Sequence, residues 1–118
     1  MVLVDTSVWV SHLRHGNEDL QKLLYEGEVV SHPFIVGELA CGNLKNRHEI
    51  LTYLQSLPMT ILAEDEEVLK FIENNQLMGK GLGYIDVHLI ASAVLTNVLV
   101  WTFDKTLDKF TKKTGINY

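Results

Sequence analysis

The sequence is poor in cysteine, proline and positive charge. Of its 118 residues one is cysteine, Cys41, and two are proline. A lone thiol cannot close an internal disulfide, which excludes a stapled secreted scaffold and points to a reducing compartment, the cytoplasm. Pro33 and Pro58 are too few for a proline-rich linker, and no repeat or low-complexity tract interrupts the chain. Ten Lys and Arg face 15 Asp and Glu, a net charge of −5, the wrong sign for holding nucleic acid by bulk charge alone. Long apolar runs are also missing. Residues 87–103 carry no formal charge, but His88, Ser92, Thr96 and Asn97 interrupt them and Val98-Leu99-Val100-Trp101 is β-rich. That segment reads as a buried helix, a turn and a buried strand, not as a membrane span of ~20 residues. Only Met1 to Val4 precede Asp5, too few for the apolar core of a signal peptide.

What is there is enough for one core. Hydrophobic residues make up 47% of the chain, and its length suits a single domain over residues 1–118. Short apolar runs predict strands at Val2–Val4, Val29–Val30, Thr60–Leu62 and Val98–Trp101, with a short edge at Ile116–Tyr118. They do not alternate with polar residues, as expected of strands covered on both faces. Helical spacing marks Asp19–Tyr25, the segment after Pro33 up to Gly42, Ile50–Leu57, the segment around Val68-Leu69-Ile72, Tyr84–Leu95 and Lys105–Lys113. The acidic run Glu64-Asp65-Glu66-Glu67 is a solvated helix start. Strands alternating with helices predict an α/β fold with a parallel sheet and helices on both faces.

Open α/β sheets bind ligands at the carboxyl ends of their strands. Asp5 follows the first strand and Asp104 follows the fourth. Two more acids interrupt apolar helices: Glu38 in Phe34-Ile35-Val36-Gly37-Glu38-Leu39-Ala40, and Asp86 in Gly83-Tyr84-Ile85-Asp86-Val87-His88. Any one of these is most simply a cap or a surface acid. Four against apolar flanks argue for a shared site. Two carboxylates ~4 Å apart repel by about 4 kcal/mol at an effective dielectric near 20, so a converging quartet needs protonation, a cation or a partner arginine. All-oxygen donors suit Mg²⁺ or Mn²⁺, and such a centre hydrolyses phosphodiesters.

Val2-Leu3-Val4-Asp5-Thr6-Ser7-Val8-Trp9 resembles the opening of a PIN domain of the VapC toxin-ribonuclease type. Glu38-Leu39, Gly83-Tyr84-Ile85-Asp86-Val87-His88-Leu89-Ile90-Ala91-Ser92-Ala93 and Trp101-Thr102-Phe103-Asp104-Lys105 resemble its second, third and fourth motifs. The resemblance implies a three-layer α/β/α architecture with strand order 3-2-1-4-5. It implies a Mg²⁺- or Mn²⁺-dependent endoribonuclease with Asp5, Glu38, Asp86 and Asp104 as catalytic and metal-holding acids, supported by Thr6 or Ser7. It implies a homodimer acting on transfer or ribosomal RNA and neutralised by a VapB-like antitoxin. The chain is short for that family, which points to a truncated last strand.

The negative charge is unevenly spread. In residues 101–118, Lys105, Lys109, Lys112 and Lys113 against Asp104 and Asp108 leave +2. The lysines share one helical face, which either guides an RNA backbone or is a solvated surface favoured by the helix dipole. Asp108, one turn beyond Asp104, either assists a metal or pairs with Lys112 at i, i+4 as a surface ion pair, the reading favoured. The five histidines lack zinc spacing; His12 and His15 read as surface or loop residues and His88 as a packing residue. Trp9 and Leu13, four apart, read as core. A phospho-accepting receiver domain fails for want of an acceptor Asp after a middle strand. An aspartyl-nucleophile phosphatase fails because Ser7 stands where it needs a second Asp. The alternative that survives is a catalytically silent PIN scaffold that binds RNA or protein.

Overall fold

The chain enters the core at once: Val2–Val4 form β1, a strand with all three residues buried. A computed structural model describes residues 1–118, and in it β1 is the middle of a parallel sheet. It pairs on one side with β2 (Val29–Val30) and on the other with β3 (Leu99–Trp101), in the order β2-β1-β3. Single parallel bridges extend both edges, Ser31 to Met59 beyond β2 and Val100 to Asn117 beyond β3. The strand order implied by the resemblance is therefore present, with its two outer strands reduced to one bridge each.

The third strand expected at Thr60–Leu62 does not form. Thr60 N–H reaches the sheet, donating to Ser31 O at 2.9 Å, but Ile61 N–H donates to Thr96 Oγ1 at 2.9 Å and, just beyond, Ala63 N–H to Ser92 Oγ at 3.0 Å. The fifth is kept to a bridge by Val100, whose N–H donates to Ile116 O and whose carbonyl accepts from Tyr118 N–H. Full coverage of every strand also fails at β3. Leu99 is 40% exposed and Trp101 half-buried while Val100 is buried, so one face of this strand is open.

Seven helices surround the sheet. The residues after β1, to which sequence periodicity assigns no element, form α1 (Thr6–His15), carrying His12 and His15. Apolar residues are too few in this stretch to show a full stripe; Val8 and Trp9 are buried, whereas Leu13 is 36% exposed. The others fall where spacing places them: α2 (Glu18–Tyr25), α3 (Pro33–Ala40), α4 (Arg47–Ser56), α5 (Asp65–Asn75), α6 (Tyr84–Thr96) and α7 (Lys105–Thr114). Pro33 opens α3 in the turn where its missing N–H costs nothing. Glu64 and Glu67 form a reciprocal capping box at the start of α5.

The main core joins β1, β2 and β3 to Val8, Trp9, Leu20, Ile35, Leu39, Leu54 and Leu89; a smaller one packs Val68 and Leu77 against Val87 and Ala91. Helix α6 serves both, with every residue from Val87 to Ala93 buried. Its first turn is thereby fixed against the carboxyl edge of the sheet. Asp5 and Asp104 each cap a helix. Asp5 accepts from Ser7 N–H at the start of α1, and Asp104 accepts from Leu107 N–H at 2.9 Å at the start of α7.

Candidate active site

The carboxyl ends of β1 and β3 lie side by side, since Val4 pairs with Trp101 and Asp5 N–H donates to Trp101 O at 2.9 Å. Hydroxyl groups stitch the two ends together. Asp5 is only 7% exposed, and its charge is met by Ser7 Oγ at 2.7 Å, Thr102 Oγ1 at 2.8 Å and Ser7 N–H at 3.4 Å, all on Oδ2. Oδ1 is left uncommitted. Thr102 Oγ1 also accepts from Asp104 N–H at 3.0 Å, and Ser7 Oγ accepts from Phe103 N–H at 3.0 Å. A buried carboxylate needs such donors.

The two helix-borne acids reach the same place. Glu38 on α3 accepts from Thr6 Oγ1 at 2.8 Å. Asp86, in the first turn of α6, has its carboxyl pushed above the usual range by burial first and then by the negative charge of Asp5, with Asp104 and Glu38 adding to it; a hydrogen bond from the Gly83 backbone pulls the other way. Each of the other three acids is thus close enough to raise Asp86. All four candidates converge on one region, and Thr6 and Ser7 hold two of them. No three His, Cys, Asp or Glu side chains stand close enough together in this arrangement to hold a metal ion between them. The donor set is nonetheless that of a hard divalent cation: all oxygen, with free oxygens on Asp5 and Asp104 and mutual repulsion that a cation would relieve.

Thr102 is the residue that sequence reasoning overlooked. It is 6% exposed and polar at the end of an apolar strand, two residues before Asp104. A threonine in that position, where Val or Ile would pack as well, was the available signal. Lys105, Lys109, Lys112 and Lys113 are exposed on α7. Lys112 is bound to Asp108 at 2.9 Å, the surface pair expected from their spacing.

Comparison with known proteins follows the same residues. The PIN domain family model matches residues 2–113. Ribonuclease VapC32 from two strains of Mycobacterium tuberculosis, CDC 1551 and H37Rv, is 38% identical over 117 residues, covering 98% of this chain and 94% of the relative.

The chain belongs to the VapC-type PIN-domain ribonucleases.

Within that family reading, the helices and small parallel sheet form the expected three-layer α/β/α fold. No helix of this PIN domain is long and apolar enough to cross a membrane.

Proposed function

We propose that this single PIN domain is a Mg²⁺- or Mn²⁺-dependent endoribonuclease toxin that hydrolyses phosphodiester bonds in RNA. Its action is restrained by a VapB-like antitoxin. The observation that supports the metal requirement is the proximity of Asp5, Glu38 and Asp104 to Asp86, whose carboxyl is pushed up by burial first and then by their charge. Left uncompensated, that charge would also repel an RNA phosphate. Family likeness supports the antitoxin, a homodimer, a cytoplasmic setting and transfer or ribosomal RNA as target.

Asp5, Glu38, Asp86 and Asp104 would hold the cation, with Ser7, Thr102 and Thr6 fixing the orientation of Asp5 and Glu38. When bound, the ion supplies an activated water and stabilises charge on the phosphoryl oxygens. The chain's own contribution is placement. The start of α7 adds the positive end of a helix dipole beside Asp104, and Lys105, the first residue of that helix, adds a cation next to it in the chain.

The test is cleavage of RNA by purified, antitoxin-free protein in Mg²⁺ or Mn²⁺, its loss in EDTA, and its loss in Asp5→Asn and Asp86→Asn variants that remain folded. RNA that is bound but left intact in Mg²⁺ and in Mn²⁺ would establish the silent scaffold instead.

A further inference from the structure

Beside the acidic region lies a second concavity of about 360 Å³, at the carboxyl ends of β2 and of the segment bridged to it. It is lined by His32, Pro33 and Phe34, by Leu62 to Asp65, and by His88. Adjacent strands are about 5 Å apart, so this cleft stands one to two strand spacings, roughly 5–10 Å, from Asp5. Its walls belong to the helices that carry two of the acids. Phe34 and Glu38 are four apart on α3 and share a face. His88, two residues beyond Asp86 on α6, faces another side of that helix from the acid, so the link to the acidic region runs through α3.

The cleft is built from rings. His88 is held edge-on between Phe34 (centroids 5.1 Å apart) and Tyr84 (4.7 Å), and Phe34 packs on His32 at 4.9 Å. His32 and His88 are buried, 2% and 4% exposed, whereas Phe34 is 39% exposed. The polar groups of the floor are satisfied: His32 Nδ1 accepts from Phe34 N–H at 2.9 Å, and its Nε2 lies 3.3 Å from Ser92 Oγ. At the mouth stands Asp65. Its Oδ1 is met by His88 Nε2 at 3.0 Å and by Tyr84 Oη at 3.1 Å, which fixes the carboxylate and leaves Oδ2 in no hydrogen bond. No lysine or arginine lines the cleft, and Glu64 and Asp65 make its lip anionic. A phosphate is unwelcome there.

We propose that this cleft binds the nucleobase adjacent to the scissile phosphate, stacked on Phe34, and favours bases with an exocyclic amine over uracil. The proposal rests on the ribonuclease reading and names a feature of its substrate. Flat rings stack on exposed aromatic faces whatever their sequence. A fixed carboxylate accepts only, so it pairs with the amino groups of cytosine, adenine or guanine. Uracil presents a carbonyl oxygen where cytosine presents that amine, and its one ring donor, N3–H, lies a position further along the edge.

The experiment uses the full chain carrying Asp5→Asn, which cannot cut, in Mg²⁺, with fluorescein-labelled RNA hexamers of A, C or U and anisotropy as readout. Expected is tighter binding of the A and C hexamers than of U. Adding Phe34→Leu, which keeps the site apolar, should weaken A and C roughly tenfold, within the ~1–3 kcal/mol of a base–aromatic stack. Adding Asp65→Asn, which can still accept from Tyr84 and His88, should narrow the gap between C and U. Melting temperatures unchanged within a few degrees show that the variants fold. Equal affinities for the three hexamers, no change with Phe34→Leu, or no binding at all would overturn the subsite. Failure of the wild-type protein to cut any RNA in Mg²⁺ would overturn the ribonuclease reading separately, since the hexamer affinities are measured on a variant that does not cut.

Discussion

Thr102 shows how much of the site rests on one hydroxyl. It donates to Asp5 and accepts from Asp104 N–H, so one oxygen positions two acids. Thr102→Val keeps the shape and leaves a buried carboxylate short of a donor, at a cost of about 1–3 kcal/mol in stability. RNA cleavage should fall at least tenfold, read together with the shift in the chemical denaturation midpoint. Asp86 works in the opposite direction. Its folded pKa is raised, so the folded state loses stability as pH rises from the ordinary carboxylate value through the raised one, and carries the full cost at neutral pH. Asp86→Asn should therefore melt higher than wild type at pH 7 in EDTA, with the advantage vanishing at low pH where both carry a neutral group. His32 has its pKa pushed down to about 4, by burial first and by His88 second. Between about 6.5 and 4 the unfolded chain takes a proton that the folded chain refuses. Stability contributed by neutral His32 is complete above that window and is lost as pH falls through it, by about 3 kcal/mol. In His32→Gln the decline between pH 7 and pH 4.5, measured by denaturant titration, should be correspondingly shallower.

At the scale of elements, α6 carries the most. It is buried along its middle, bears Asp86 in its first turn, and lends Ser92 and Thr96 to the N–H groups of residues 61 and 63. Those bonds are why the sequence could announce a strand at Thr60–Leu62 and the fold not supply one. The residues are β-formers, but helix side chains offered closer partners than a neighbouring strand. Helices α2 to α7 were legible because each has either an apolar stripe or a proline, cap or glycine at its end. Helix α1 was not, because its burial rests on Val8 and Trp9 alone. The lysines of α7 were placed on one face by spacing, and Lys109→Glu with Lys112→Glu is expected to weaken RNA binding at low salt more than at high salt. Equal affinity of that double variant and wild type in 50 mM salt would leave the face as ordinary solvated surface.

For the whole molecule, the four acids were readable as candidates because apolar flanks isolate them. That they share a site was expected too, but the hydroxyls that orient them were not, because those depend on how the strand ends meet. Parallel pairing of β1 with β3 brings Asp5 and Asp104 together across almost the whole chain. A cation bound there should stabilise the folded state by mass action. Millimolar Mg²⁺ should raise the melting temperature of the wild-type protein by several degrees and that of Asp5→Asn by much less, read by calorimetry with and without EDTA.

Two of the acids lead a double life, since Asp5 and Asp104 also initiate the helices that follow them. Asparagine starts a helix about as well as aspartate, whereas alanine does not. On the proposed reading, asparagine at these positions would silence the centre and spare the scaffold, whereas alanine would loosen α1 or α7 as well. A harmless but properly shaped form of the protein is therefore one atom away from the native one, with an amide nitrogen in place of a carboxylate oxygen.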